Sequence, residues 1–288
     1  MNILISIDEK FIRHAETMLV SLSHQTKENI DVYLMYNKIS KKKLAKFKNK
    51  MEKQTTCKVN PILFSNDKIK DFPTTDGGKA FFGLEAYNRL FCQFYLPKSI
   101  NRILYLDVDM IVSKDITELY NMDFEDNYYL SCRDYSVEDA NRINIENEQY
   151  VNSGMILINL SKLRKETKLE EIINYIEENK DNLKYPDQDI LNMLYINKIK
   201  RIDGKYNFLV KDNKLYKDNT NIYIHHYAGP KPWNKSSYKI EDKYVKPYYD
   251  VLKLMGKIQQ LQFLKIQRSI LKLMKKMKDK ITKKGQNK

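Results

Sequence analysis

Two aspartates one residue apart, Asp107-Val108-Asp109, follow a near-continuous apolar run, Arg102–Leu106. Side chains at i and i+2 of an extended segment point the same way, so both carboxylates face one site. In an open α/β sheet, ligands bind beyond the carboxyl ends of the strands, where this pair stands. Two hard oxygen donors there suit Mg2+ or Mn2+ and leave coordination positions for diphosphate oxygens. The same spacing also fits an ordinary polar strand end. A second stretch, Ile224-His225-His226-Tyr227-Ala228-Gly229-Pro230-Lys231-Pro232-Trp233, offers an imidazole that can complete a metal sphere begun by carboxylates. Gly229 would let the backbone approach a phosphate closely, and Lys231 would supply a point charge. Read blandly, it is a strand entering a Pro-rich turn with Trp233 as a core plug. Pro186-Asp187-Gln188-Asp189 combines capping chemistry with carboxylates and an amide that a rigid helix start could aim into a cleft. Asn152-Ser153-Gly154 is a turn or a polar clamp for sugar hydroxyls. Arg89, within Tyr87-Asn88-Arg89-Leu90, is a surface arginine or a diphosphate and sugar contact.

The elements that must position these residues follow from hydrophobic periodicity. Residues 2–7 read as a buried strand, 11–23 as a helix with Phe11, Ala15, Met18, Leu19 and Leu22 on one face, and 31–35 as the next strand. A lysine-rich helix over 40–51 and a third strand over 58–64 complete a β-α-β-α-β opening, which implies a parallel sheet with helices on both faces. A turn around Asp76-Gly77-Gly78 precedes a helix over 86–95. Further strands are expected at Arg102–Leu106, 128–132, 155–159 and 222–225, and helices at 169–178 and 187–195. No solenoid-type repeat is present.

The 288 residues, 42% of them hydrophobic, suffice for a sizeable core, and 8 Gly with 7 Pro exclude collagen-like or Pro/Gly-rich disordered chains. Three widely spaced cysteines, Cys57, Cys92 and Cys132, form neither a disulfide framework nor a paired zinc motif, as expected of reduced thiols in a cytoplasmic protein. The N-terminal apolar stretch ends too soon at Asp8 for a signal peptide, and no window approaches the ~18 apolar residues of a spanning helix. The expected location is therefore cytoplasmic. Ten of the +14 net charges fall in residues 257–288, so the charge belongs to a tail and not to a binding face for specific nucleic acid. There, Phe263, Ile266, Ile270, Met274, Met277 and Ile281 recur at helical steps while Lys265, Arg268, Lys272, Lys275 and Lys276 fall mainly elsewhere. This pattern suits a helix lying peripherally on an anionic membrane, or one docking on the body or a partner. The expected organisation is a catalytic domain over 1–250 and a basic amphipathic helical tail over 251–288.

Taken in order, Ile5-Ser6-Ile7-Asp8, Tyr87-x-Arg89-Leu90, Leu104-Tyr105-Leu106-Asp107-x-Asp109, Asn152-Ser153-Gly154 with Leu157-Ile158-Asn159-Leu160, Asp187-Gln188-Asp189-Ile190-Leu191-Asn192, and His226-Tyr227-x-Gly229 through Lys231-Pro232-Trp233 resemble glycosyltransferase family 8. That family comprises retaining galactosyl- and glucosyltransferases, including lipooligosaccharide galactosyltransferases and glycogenin. The resemblance runs from the first strand to Trp233. It implies the GT-A fold, an α/β domain with a mostly parallel central sheet flanked by helices. It further implies a UDP-galactose or UDP-glucose donor, a glycan or glycolipid acceptor, and Mn2+ or Mg2+ held by Asp107, Asp109 and His226. By the same resemblance Ser6, Asp8, Lys10, Phe11, Arg89, Asp107, Val108, Asp109, His226, Gly229 and Lys231 attend the nucleotide. Arg89, Asp107, Asn152, Gly154, Asp187 and Gln188 surround the donor sugar, and Asp187 and Gln188 are the catalytic candidates. Lys10 stands where the family commonly has Asn, and Phe11 where it usually stacks a tyrosine on the base. The stretch from His226 to Trp233 is one residue shorter than in some members.

Two rival readings follow from the same residues. A strand followed by D-x-D also opens haloacid-dehalogenase-like phosphatases, but those want Thr or Val two positions after the second Asp, where Ile111 stands, and carry the motif near the N-terminus. A non-catalytic polyanion- or membrane-binding protein would account for the basic tail and leave the Asp-Asp-His set without a purpose.

Overall fold

The structure is a computed structural model and describes residues 1–65, 69, 72, 74, 83–216 and 220–286. The turn expected at Asp76, Gly77 and Gly78 lies outside the described residues. The strands are β1 (Asn2–Ser6), β2 (Ile30–Tyr36), β3 (Cys57–Leu63), β4 (Arg102–Leu106), β5 (Met110–Val112), β6 (Tyr129–Arg133), β7 (Val151–Asn159), β8 (Ile199–Ile202), β9 (Phe208–Leu209) and β10 (Ile224–His226). The helices are α1 (Ile12–Gln25), α2 (Lys41–Gln54), α3 (Asn88–Tyr95), α4 (Thr117–Asn121), α5 (Val137–Arg142), α6 (Leu160–Glu166), α7 (Leu169–Asn179), α8 (Pro186–Tyr195), α9 (Asp242–Leu254) and α10 (Ile258–Gln286). One sheet runs in the order β3-β2-β1-β4-β7-β6-β8, and a small one in the order β5-β10-β9.

The β1–β4 run is parallel, as the alternating opening predicts, but β7 is antiparallel to both β4 and β6. That reversal matters for the site. Leu106 pairs with Met155, so the start of β7 meets the carboxyl end of β4. The near-continuous apolar strands are explained by burial on both faces. Ile3, Ile5, Leu104, Leu106, Met155 and Leu157 enter one core with α1, α2, α9 and the small sheet. Leu4, Ile103, Tyr105, Ile156 and Ile158 enter the other with α3, α6, α7 and α8. Each such fully buried Ile or Leu contributes roughly 1.5–3 kcal/mol.

Four expectations need adjusting. The helix expected over 86–95 begins as a 3-10 turn, Leu84–Tyr87, and becomes α3 at Asn88. The strand expected from 155 begins four residues earlier, at Val151. The late strand expected over 222–225 is β10, shifted to Ile224–His226. The break expected after residue 250 falls inside α9, whose Val251 and Leu252 are buried in the core. The tail is also not detached along its whole length. Leu261, Leu264 and Arg268 of α10 are buried, and Arg268 donates from Nε to the Ser237 carbonyl and pairs with Asp242. All three cysteines are buried free thiols, and burial pushes Cys57 up to about 11 and Cys92 up to about 12, which leaves both unreactive.

Candidate active site

The carboxyl edge of the large sheet opens into a cleft of about 580 Å3 that contains Phe11, Arg89, Asp107, Asp109, Asn152, Asp187, Gln188, His226, Gly229 and Lys231. A smaller adjoining recess is lined by Ser6, Asp8, Phe11, Glu85, Arg89 and Val108. Fifteen residues were singled out in the sequence, and these two spaces bring together all of them but two. Gly154 sits just behind the wall. Lys10 stands on the exposed side of the first turn, where its backbone N–H caps onto the Asp8 carboxylate.

Asp107 and Asp109 leave β4 on the same side, as their i, i+2 spacing predicts. β10 lies antiparallel to β5 with His226 opposite Met110, which carries the imidazole to them. His226 Nε2 is 3.3 Å from Asp109 Oδ1 and 3.8 Å from Asp107 Oδ2. Donor atoms about 2.1 Å from one shared ion lie roughly 3–4 Å apart, so this separation fits a common cation. Two further observations support that fit. Asp109 Oδ1 is buried without a hydrogen-bond partner. His226 Nδ1 lies 2.8 Å from Asn207 Oδ1, an acceptor, so Nδ1 carries a hydrogen and, in the neutral ring, the Nε2 lone pair faces the carboxylates. Lone pairs converging at a partly buried place favour a positive charge among them. Among the described residues this is the group of three that could hold a metal ion.

The Lys231 ammonium sits on Asp109 Oδ2 and on the Tyr227 carbonyl. Burial works to raise the Asp109 carboxyl, but Lys231 and His226 together hold it below its ordinary value. Asp107 Oδ1 accepts from Tyr105 at 2.6 Å and from Arg89 at 3.1 Å, which turns its Oδ2 toward His226. Gly154 permits this closeness. A Cβ there would stand 2.4 Å from His226 Cε1 and 2.7 Å from Asp107 Oδ2.

Arg89 joins the Asp-Asp-His cluster to the Asp187 side of the cleft. Its guanidinium lies over the Tyr105 ring at 4.0 Å and bridges Asp107 and Asp187, each at 3.1 Å. Burial opposes its charge, and the two carboxylates more than offset that, so it stays protonated. Burial raises the Asp187 carboxyl, with Arg89 pulling the other way. Pro186 starts α8 and thereby points the buried Asp187 and Gln188 into the cleft. Asn192, one turn further along α8, clamps both backbone groups of Val151 and so locks α8 to the start of β7. Gln188 Oε1 accepts from the Ser153 N–H and Asn152 Nδ2, and its Nε2 donates to Asp134 and Tyr150.

The sequence reading missed Tyr105, Asp134, Tyr150, Asn207 and Lys211. Tyr105 alternates with the apolar residues of β4 and could have been found as the side chain two before Asp107, on the same face. Asp134, Tyr150 and Lys211 belong to no spacing pattern, and Asn207 precedes a two-residue strand that has no periodic signal.

An Asp-Asp-His cluster at the carboxyl edge of a mostly parallel sheet, beside a polar cleft, is the arrangement of a GT-A type glycosyltransferase. The chain belongs to glycosyl transferase family 8, whose family model matches residues 2–237. A Haemophilus influenzae protein named as a glycosyltransferase is 31% identical over 247 residues, covering 82% of this chain and 73% of that protein. A lipopolysaccharide 1,2-glucosyltransferase of Escherichia coli is 24% identical over 87% of this chain and 78% of its own length. The crystal structure of the galactosyltransferase LgtC with donor and acceptor sugar analogs matches the fold with a TM-score of 0.74 and 23% identity, over 89% of this chain and 96% of that one. Family membership removes the phosphatase reading and makes the chain an enzyme.

Proposed function

We propose that this enzyme moves galactose or glucose from a UDP-sugar to the hydroxyl of a glycan or glycolipid acceptor, with retention at the anomeric carbon, in bacterial cell-surface polysaccharide or lipooligosaccharide synthesis. The observation that carries this reading is the convergence of Asp107 Oδ2, Asp109 Oδ1 and His226 Nε2 beside Lys231. Relatives of both glucosyl and galactosyl specificity share the family, which supports a hexose donor.

Bound at the three ligands, Mn2+ or Mg2+ would act as a Lewis acid that neutralises the charge of a departing diphosphate. Lys231 is within reach of the same place, and Gly229 presents backbone without a side chain. Phe11, 39% exposed at the junction of cleft and recess, offers a face for the base. Asp8 spends Oδ1 on capping Lys10 and Phe11, which leaves Oδ2 for a uracil N–H. Arg89 and Asp187 hold the sugar, Asn152 shapes the wall beside it with its own amide engaged by Asp134, Gln188, Gly154 and Asn207, and Asp187 stabilises positive charge at the anomeric carbon.

Retention proceeds on the face the leaving group vacates. The anomeric C–O bond to diphosphate breaks, the acceptor oxygen bonds to the same carbon, and its proton passes to the diphosphate. Both acceptor positions of Gln188 Oε1 are already engaged, which favours this course over attack by Gln188. A covalent sugar adduct on Gln188 or Asp187, found by mass spectrometry, would refute it. The test of the function itself is a donor screen: UDP release from each UDP-hexose with Mn2+ and a glycan acceptor. Turnover with one hexose donor is expected, and silence with all of them while small phosphoesters are hydrolysed would sink the reading.

The exposed stripe of α10 supports a second part of the proposal, peripheral attachment on the cytoplasmic side of an anionic membrane. Phe263, Ile266, Ile270, Met274, Met277 and Ile281 are each more than half exposed. They lie opposite the face on which Leu261, Leu264 and Arg268 dock, with lysines between. Among the described residues no helix is long and apolar enough to cross a membrane.

A further inference from the structure

We propose that Asn207 is a positioning residue that holds His226 in the Nδ1–H tautomer, as the last link of an amide relay anchored on Asp134. The inference rests on the metal reading of the same site and adds residues to which that reading assigns no part.

The orientation of every amide in the relay is dictated by groups that have one hydrogen-bonding role. A backbone N–H only donates, and a carboxylate only accepts. The Gly154 N–H donates to the side-chain oxygen of Asn152 at 3.0 Å. Asn152 Nδ2 must then face the other way, where it donates to Asp134 Oδ2 at 3.0 Å and to Gln188 Oε1 at 3.0 Å. Gln188 is fixed independently, because the Ser153 N–H donates to its Oε1 at 3.1 Å while its Nε2 donates to Asp134 at 3.2 Å. Asp134 Oδ2 thus receives two amides that could not turn over without setting oxygen against carboxylate.

Asn152 Oδ1 has a second donor, Asn207 Nδ2, at 2.9 Å. With its nitrogen committed there, Asn207 has only oxygen left for His226 Nδ1 at 2.8 Å. A ring nitrogen facing that oxygen must carry hydrogen. In the neutral ring, the form that can bind a metal, Nε2 is then the bare nitrogen, and it faces Asp107 and Asp109. Asp134, Asn152, Asn207 and His226 are all buried, so no water competes for these links. A metal ligand whose far nitrogen is held by a hydrogen bond keeps both its tautomer and its ring orientation, and losing such a partner typically weakens metal binding by about 10–100-fold.

The test uses the full chain, 15N-labelled at its histidines, with Mn2+ as the probe. In metal-free protein, at a pH high enough that the ring is neutral, two-bond 1H–15N correlation spectra, assigned by the loss of signals in His226→Gln, should show His226 protonated on Nδ1 and bare on Nε2. Asn207→Ala should redistribute the proton toward Nε2 and raise the Mn2+ dissociation constant by about 10–100-fold. Asn207→Asp, which keeps an oxygen opposite Nδ1, should retain the Nδ1–H tautomer. A wild-type His226 protonated on Nε2 overturns the inference, and that arm stands even where a variant does not fold. So does an Asn207→Ala protein with a native melting profile and unchanged Mn2+ affinity. Wild-type protein that shows the Nδ1–H tautomer yet binds no Mn2+ would uphold the relay and remove the metal reading, which keeps the two failures distinct.

Discussion

Asp107 and Asp109 are only two residues apart, yet the chain gives them different partners. Asp109→Asn removes the carboxylate that Lys231 covers, and Asp107→Asn weakens the anchor of Arg89 and Tyr105. Each should lower turnover at least about 10²-fold while the far-ultraviolet dichroism and melting temperature stay close to wild type. Full UDP-hexose turnover in both variants would defeat the metal assignment. Gly154→Ala is a harsher change for its size, since the added methyl would meet His226 Cε1 and Asp107 Oδ2. The backbone must shift to admit it, at about 1–3 kcal/mol of stability, and the two metal ligands are pushed apart. Urea titration together with Mn2+ binding checks this, and an alanine variant with native metal affinity would show that the glycine is dispensable.

Elements tie the site together through contacts outside the cleft. His14 of α1 stacks on Trp233 with ring centroids 4.0 Å apart, which fastens the Lys231-bearing turn to the first helix. Burial, helped by the Arg13 charge, pushes His14 down to about 4 from 6.5. As pH falls the unfolded chain therefore protonates first. The stability this neutral ring contributes is complete above about pH 6.5 and is lost down to about pH 4, with a ceiling on the order of 3 kcal/mol. His14→Phe keeps the ring without the proton site, so its unfolding free energy should fall less between pH 7 and pH 4.5 than that of wild type. Equal slopes in the two proteins would exclude His14 as the source. The strands and helices that were legible in the sequence are those whose burial leaves a mark: β1 and β4 as two-sided apolar runs, α2 and α7 as one-sided stripes. The direction of β7 leaves no such trace, because alternation reads the same from either end. β5 and β9 are too short to carry a period. α9 was hidden by Pro247 and by tyrosines that serve as core residues. The Asp107, Asp109 and His226 cluster was legible through the ordered set of motifs, since each piece alone also fits a polar strand end, whereas an ordinary Asn207 becomes informative only when its neighbours in space are known.

For the whole molecule, the body and the distal tail are separable at a different point than charge alone implies. Cutting before α10 would strip Leu261, Leu264 and Arg268 from the surface they cover. Ending the chain after Lys272 keeps those contacts and the Lys272–Asp242 pair, and removes Leu273, Met274, Met277 and Ile281 with most of the distal lysines. That truncation should keep the melting temperature and the rate with a soluble acceptor, and lose sedimentation with vesicles containing phosphatidylglycerol. Undiminished vesicle binding would place the membrane contact elsewhere.

The head-to-tail meeting of β4 and β7 also channels how this sequence can change. Inserting one residue between Val151 and Gly154 would exchange the two faces of the strand, carrying Asn152 away from Asn207 and presenting an apolar neighbour to the cleft. The same insertion among residues 144–149, upstream of the first paired position, alters only the connecting path. Length variation is therefore tolerable before Val151 and ruinous just after it, and lineages of this enzyme can diversify the rim of the cleft while the reacting centre stays in step.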